Sequence, residues 1–447
     1  MALGGVSMVA GCVLIAIWAE QLVTPGGWAT PQALALTHIL ALGFASAVMA
    51  GVLYQMLPVI LGSRPARARG ARLVWWCFLA STAIFTGTLA SGRDDLAPIG
   101  GIALTVAIVG ISAHAGSVMR RATLWNVVAL YLVMALGCLD AIAVMGAILA
   151  VSLRTGMLED PLALLAPKIL LAVGGWLGLV LVGVSYQLVP QFNVSSARAR
   201  WAWPVLGLLV SGLLLGVIAV AVHLAAPLRV AALVPYGAGA GFYLHDVIRL
   251  TRARGRPAAS GITPVGQVAA AVVFVVAALA ALPAIAGVQP WPQVAVSSAL
   301  LGWAPLAISA NGARIIPFLA WTRAGVPGAA PLAADRIPVP AAIGQLTLLG
   351  TGWLFLEAGI LAQSSGLARV GAALTLMGAL ALPTLIALAL RGRFVRRASS
   401  TRGRRGSPAR VPPARTELIS LIGSAGPRKE TCRLPHECPA PFGPQCR

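Results

Sequence analysis

Histidines are the residues of this 447-residue chain best suited to bind a metal ion, and there are five. His38 lies near one end of an apolar stretch, five residues before Gly43. A neutral imidazole is a good ligand for iron, although a lone histidine is equally consistent with solvation. His114 and His245 each follow a glycine by four residues and precede arginines closely. This pair indicates a second candidate site, with ordinary interfacial contacts as the favoured alternative.

Carboxylates inside apolar stretches are a second group of candidate functional residues, because burying an ionisable group is costly. Asp140 and Glu357 lie deepest in such stretches. Each is consistent with one step of a proton path or with a hydrogen bond between helices, and the hydrogen bond is favoured. Asp246 is adjacent to His245, so it either orients that ring or pairs with Arg249.

The composition predicts the kind of structure that positions these residues. The apolar set makes up 58% of the chain, charged residues make up 10%, and the mean hydropathy is +0.87. Soluble domains carry about 25% charged residues, and disordered chains have low hydrophobicity. The sequence therefore predicts an all-α integral membrane protein. It contains no phosphate-binding loop, H-E-x-x-H motif or nucleophile elbow, which disfavours an enzyme with soluble-type chemistry.

The apolar stretches define about twelve transmembrane helices, since a span takes about 20 residues. The predicted spans are 2–23, 33–61, 73–91, 99–119, 126–152, 168–193, 203–222, 229–249, 264–287, 294–320, 341–362 and 367–390. Loops after even-numbered spans hold 14 of the 19 basic residues outside the C-terminal tail and the tenth span. Basic residues concentrate in cytoplasmic loops, so these loops and both termini are predicted to be cytoplasmic, in a bacterial inner membrane.

The tail, residues 391–447, differs from the rest of the chain. It holds 13 of the 33 basic residues and is rich in Arg, Pro, Ser and Gly. This composition predicts a disordered cytoplasmic segment that lies on anionic lipid. Its position beside a membrane span disfavours nucleic acid as a partner. Cys432, His436, Cys438 and Cys446 are spaced in a way that fits no zinc pattern well, so incidental thiols are favoured over a metal site.

An internal repeat organises the membrane domain. Three stretches each contain a glycine followed by an aromatic residue, a small residue eight positions after the glycine, and a proline fifteen positions after it. The glycine–aromatic pairs are Gly43-Phe44, Gly175-Trp176 and Gly302-Trp303. The small residues and prolines are Gly51 and Pro58, Gly183 and Pro190, and Ala310 and Pro317. The copies are 132 and 127 residues apart, which predicts three pseudo-equivalent four-helix units at about 1–125, 126–258 and 259–390.

Twelve spans in three groups of four resemble the haem–copper oxidase subunit I superfamily. The string H-x4-G-F-A-x-A-V-x-A-G, from His38 to Gly51, is similar to the first repeat of bacterial haem- and copper-containing membrane proteins of the nitric oxide response. GVLYQMLP, GVSYQLVP and ARIIPFLAW are more similar still to a related group of oxidase-subunit-I-like bacterial proteins. The resemblance covers about 390 residues.

The resemblance implies a haem-binding protein without the reductase centre. In the oxidases, histidines on the second and tenth helices bind haem, and others on the sixth and seventh bind copper. Here His38 matches, whereas Leu170 and Ser297 occupy its place in the other copies. We therefore expect haem on His38, no copper, and an accessory role in redox or nitric oxide handling beside respiratory membrane proteins. The alternative is a scaffold-only membrane protein or a transporter without haem.

Three polar residues occupy the position three before the repeat prolines: Gln55, Gln187 and Arg314. A proline frees a helix carbonyl one turn back, which such a side chain can help to satisfy. The small residues nearby suit either close helix packing or the approach of a flat ligand, so these side chains are candidate cofactor-binding residues. Arg314 is expected either to pair with an anion, such as a haem propionate or Glu357, or to anchor its helix at the cytoplasmic surface.

The charge bias predicts the topology directly. A reporter fused after Arg254 is expected to be cytoplasmic, and one fused at Asp94 is expected to be outside, because arginine-rich loops stay on the cytoplasmic side. Activity of paired phosphatase and fluorescent-protein fusions measures this. The reverse pattern contradicts the topology.

Overall fold

The computed structural model of the chain describes residues 2–24, 26–27, 30–64, 68–93, 95–253, 262–323 and 339–402. In these ranges the secondary structure is helical and contains no β-strand. Residues Met1–Phe394 form one unit and Val395–Arg447 a second, of which the described part is the end of the last helix.

The described residues form α-helices together with three π-helical segments. The α-helices are α1 Ala2–Ile17, α2 Ala19–Val23, α3 Pro31–His38, α4 Ala47–Ile60, α5 Ala68–Ala90, α6 Ala97–Met119, α7 Val127–Thr155, α8 Pro161–Leu170, α9 Gly178–Asn193, α10 Ala202–Ala221, α11 Ala226–Arg252, α12 Ile262–Ile285, α13 Trp291–Ser297, α14 Ala304–Arg323, α15 Val339–Leu361 and α16 Ser365–Arg402. The π-helical segments are π1 Ile39–Ser46, π2 Leu171–Leu177 and π3 Ser298–Trp303.

Helix lengths and composition agree with an all-α membrane protein. Within the described ranges, nine helices are long and apolar enough to cross a membrane, and two shorter apolar helices are Leu3–Ile17 and Ser365–Ala381. The number twelve and the three four-helix units stay predictions. The last helix continues to Arg402, beyond the predicted end at residue 390. Residues 403–447, with the cysteines of the tail, lie outside the described residues.

The three π-helical segments occur at the same place in each copy of the repeat. They begin at Ile39, Leu171 and Ser298, and these positions are separated by the 132 and 127 residues that relate the sequence copies. Each segment is closed by a backbone hydrogen bond that spans five residues. These bonds run from the N–H groups of Ala47, Gly178 and Ala304 to the carbonyl groups of Leu42, Val173 and Ala299. π-helical turns are rare and are frequent at functional sites.

The first glycine of each copy lies where another helix packs closely against the π-helical segment. A Cβ atom on Gly43 would lie 2.7 Å from Oγ of Ser7 in α1, and one on Gly175 would lie 2.6 Å from Sγ of Cys138 in α7. On Gly302 it would lie 2.7 Å from Cγ1 of Val273 in α12. Neighbouring helices therefore occupy the space beside these glycines, as the packing interpretation of the small residues predicts.

The second small residue of the repeat gives a matched test of this packing. A Cβ atom on Gly183 would lie 2.5 Å from Cβ of Tyr131, which is fully buried and whose hydroxyl donates to the carbonyl oxygen of Ala202 at 3.0 Å. The equivalent Gly51 has no atom within 4 Å of such a Cβ. We expect Gly183→Ala to lower the free energy of unfolding by about 1–3 kcal/mol through overpacking. We expect Gly51→Ala to leave it unchanged or raise it, because alanine favours helix more than glycine does.

Unfolding of the two variants in detergent micelles, followed by circular dichroism, measures this difference. Equal effects of the two substitutions would contradict the proposed helix contact.

Candidate functional site

A cavity of about 700 Å³ lies among the helices where the three π-helical segments meet. Pockets for small molecules and cofactors usually measure about 300–1,000 Å³ and are mostly apolar. Most of its lining is aliphatic or aromatic. Residues of π1, π2 and π3 that line it are Leu40, Ala41, Leu42, Ala45, Ser46, Leu171's neighbours Ala172, Val173, Gly174, Trp176 and Leu177, and Ala299, Leu300, Leu301 and Trp303.

Aromatic side chains held by polar contacts form part of the cavity wall. Nε1 of Trp176 donates to Oγ of Ser46 at 2.8 Å, so this buried bond joins π2 to π1. The hydroxyl of Tyr236 donates to the carbonyl oxygen of Gly174 in π2 at 3.0 Å. Trp303 of π3 stacks on Phe274 of α12, with 4.2 Å between ring centroids. These contacts fix the wall before any ligand binds.

His38 is the last residue of α3 and lines the cavity immediately before π1. Nδ1 of the half-buried ring is 2.7 Å from the carbonyl oxygen of Leu34, and a carbonyl can only accept, so Nδ1 carries the proton. Phe85 contacts the ring edge-to-face, with 5.2 Å between centroids. The Nε2 lone pair is therefore left for a ligand. Histidines that bind metals are usually oriented through the other nitrogen in this way.

Two cations line the same cavity, and no carboxylate of the described residues does. Lys168 lies in α8, two residues before Leu170, which is the counterpart of His38 in the second copy. Arg229 lies in the first turn of α11, and its Nε is buried without a hydrogen-bond partner. The sequence placed both residues near the outer ends of spans but gave no signal that they share a cavity with His38.

The counterpart of His38 in the third copy belongs to a buried carboxyl cluster. Ser297 lines the cavity, and its hydroxyl is 2.7 Å from Oε1 of Glu357. Oγ of Ser298 and Nε1 of Trp353 donate to the same oxygen at 2.9 and 2.8 Å. This carboxyl group joins α15 to α13 and π3, which matches the favoured interpretation of Glu357 as a hydrogen bond between helices.

Arg314 does not contact Glu357, so the expected ion pair between them is wrong. Glu357 bonds to Ser297, which precedes Arg314 by 17 residues along α13, π3 and α14. At 1.5 Å per residue this places the two charged groups about 25 Å apart. Instead, Arg314 donates to Oγ1 of Thr263 at 3.0 Å and to the carbonyl oxygen of Phe192 at 2.6 Å.

The contact with Phe192 places the Arg314 guanidinium at the C-terminal end of α9, where cations interact favourably with the helix dipole. The guanidinium carbon also lies 5.9 Å from the centroid of the Phe192 ring. Neither Arg314 nor its counterparts line the large cavity: Gln187 is half-buried and Gln55 is exposed. The structure therefore does not bring these three candidate residues to the cofactor cavity.

His114 and His245 do not form one site. The ring of His114 contacts Tyr54 edge-to-face, with 4.9 Å between centroids, in a separate crevice of about 310 Å³. His245 is exposed on α11. The adjacent Asp246 is fully buried and pairs with Arg249 at 2.8 Å, and it also accepts the backbone N–H of Trp201 at 2.9 Å. Of the two roles considered for Asp246, the structure shows the pairing with Arg249.

Metal coordination by protein groups alone is not indicated in the part of the chain that the structure describes, since no three His, Cys, Asp or Glu residues cluster there. Comparison with protein-family models and with curated proteins finds no match for this chain. The helices and the cavity therefore define its class, a multi-pass helical membrane protein with a large apolar internal cavity.

The contacts of Arg314 predict a structural effect of its removal. Arg314→Gln is expected to lower the free energy of unfolding by about 1–3 kcal/mol, because hydrogen bonds to charged groups are lost between α9, α12 and α14. The exposed Arg200 serves as a control, and Arg200→Gln should change stability by less than about 0.5 kcal/mol. Chemical unfolding in micelles measures both. Wild-type stability of Arg314→Gln would contradict the assignment.

Proposed function

We propose that this chain binds one haem in the large cavity, with Nε2 of His38 as an iron ligand. The observation that carries the proposal is the orientation of His38. Its Nδ1–H is bonded to the Leu34 carbonyl oxygen, and its ring lines an apolar cavity of about 700 Å³. A planar macrocycle also suits the aromatic wall that Trp176 and Trp303 provide.

The cations of the cavity fit the acidic groups of haem. Lys168 and Arg229 lack a carboxylate partner among the described residues that line the cavity. An unpaired charge in an apolar setting is costly, and a ligand that carries carboxylates offsets that cost. In the proposal, these two side chains bind the propionates while the aromatic wall excludes water from the ring.

A bound haem supplies electron transfer or a site for a diatomic gas, and the protein groups set its orientation and surroundings. Leu170 and Ser297, in the other two copies of the repeat, cannot provide imidazole ligands. The proposed role is therefore accessory, in redox or nitric oxide handling beside respiratory proteins of a bacterial inner membrane, without oxygen or nitric oxide reduction.

One observation favours a second candidate function. His38 is the single histidine among the described residues that line the cavity, and no Cys or Met joins it. A cavity of this kind also suits an apolar anion that contains no iron, as expected for a transporter or a ligand-binding scaffold. The two candidates differ in whether iron porphyrin is present.

The proposal predicts a spectrum. Protein expressed with haem available is expected to show a Soret band, and His38→Ala is expected to lose or shift it because the iron loses an imidazole ligand. Absorption spectroscopy of the purified protein, with haem quantified by extraction, measures this.

His245→Ala is the matched control, since His245 is exposed and distant from the cavity lining. It should keep the wild-type band. Thermal unfolding shows whether each variant is folded. A folded His38→Ala protein with an unchanged band contradicts the iron ligand, and absence of haem from every preparation favours the second candidate.

A further inference from the structure

A second, smaller crevice lies between α4, α5 and α6, and it shares no lining residue with the large cavity. Its volume is about 310 Å³. Three polar side chains line it, one from each helix: Tyr54, Arg72 and His114. The remaining lining is apolar, with Leu53, Leu57, Pro58, Ile111 and Val118 among its members. No carboxylate is among the residues that line it.

The polar groups of the crevice lack partners among the described residues. The Tyr54 hydroxyl is buried and makes no hydrogen bond. Its ring holds His114 edge-to-face, and neither ring nitrogen of His114 bonds to a described residue. A buried donor without an acceptor costs about 1–3 kcal/mol. Arg72 is exposed beside them and supplies a positive charge. The set therefore suits a ligand that accepts hydrogen bonds and is negatively charged.

The depth of the crevice matches the headgroup region of a bilayer. Tyr54 lies six residues before the end of α4, and His114 lies five residues before the end of α6. At 1.5 Å per residue these positions are about 8–9 Å inside the helix ends. Arg72 lies near the start of α5, at the same surface. Basic pockets between membrane helices at this depth are suited to anionic lipid headgroups.

We propose that this crevice binds the phosphate group of an anionic phospholipid. The phosphate oxygens accept hydrogen bonds from Arg72, from the Tyr54 hydroxyl and from His114. The first part of an acyl chain then packs on the apolar side chains of α4 and α6. The apolar lining favours a lipid phosphate over free inorganic phosphate, because free phosphate would leave these side chains without a partner.

The test uses the full chain in nanodiscs that contain phosphatidylcholine with or without phosphatidylglycerol. Native mass spectrometry after transfer to detergent counts the phosphatidylglycerol molecules that the protein retains. Wild type is expected to retain phosphatidylglycerol in preference to phosphatidylcholine. Arg72→Gln is expected to weaken retention about fivefold, since one arginine near a membrane surface contributes about 1 kcal/mol.

Two further variants separate the crevice from general surface charge. Tyr54→Phe keeps the ring beside His114 and removes the unpartnered hydroxyl, so it should also weaken retention. Arg120→Gln removes an exposed arginine at the end of α6 that does not line the crevice, and retention should stay at the wild-type level.

Three results would overturn the proposal: no preference for phosphatidylglycerol in the wild type, equal losses in Arg72→Gln and Arg120→Gln, or displacement of the lipid by millimolar inorganic phosphate. The last result would identify a free anion as the occupant. Haem content is expected to be unchanged in all three variants, because the crevice and the large cavity share no lining residue. The lipid proposal and the haem proposal can therefore fail independently.

Discussion

Close contact between each π-helical segment and a neighbouring helix is the constraint on which the centre of this protein depends. The contact requires a glycine at positions 43, 175 and 302, since a Cβ atom there would lie 2.6–2.7 Å from a side chain of α1, α7 or α12. Without a strong hydrophobic driving force in lipid, membrane helices associate through close packing of small residues and through hydrogen bonds. The Trp176–Ser46 bond adds a direct connection between π1 and π2.

The same segments determine the chemistry of the cavity. Lining residues come from all three, and the position that precedes π1 carries His38 while the corresponding position before π3 carries Ser297. The second copy has Leu170 there, with Lys168 two residues earlier. One repeated backbone feature thus presents an imidazole, a cation and a hydroxyl to one cavity. In the third copy, the hydroxyl is 2.7 Å from the carboxyl group of Glu357, so that acid contributes to helix association.

The helices could be predicted from the sequence because apolar stretches of membrane length are a strong signal. Predicted spans such as 203–222 and 341–362 lie within two residues of α10 and α15. The repeat also located the π-helical segments, although it gave no sign of the wider turn, since no side-chain pattern distinguishes a π-helical turn from an α-helical one. Contacts between distant helices could not be predicted. Arg314 was expected to pair with Glu357, yet it bonds to Thr263 and Phe192, because depth along a helix separates the two charges.

The central claim is that the cavity enclosed by the π-helical segments holds a haem on His38. The most direct measurement is an electron cryo-microscopy density map of the protein purified from cells supplied with haem. The account predicts flat density in the cavity, continuous with Nε2 of His38 and with its acidic edge toward Lys168 and Arg229. Elongated density typical of a lipid chain, or side chains that close the cavity, would contradict it.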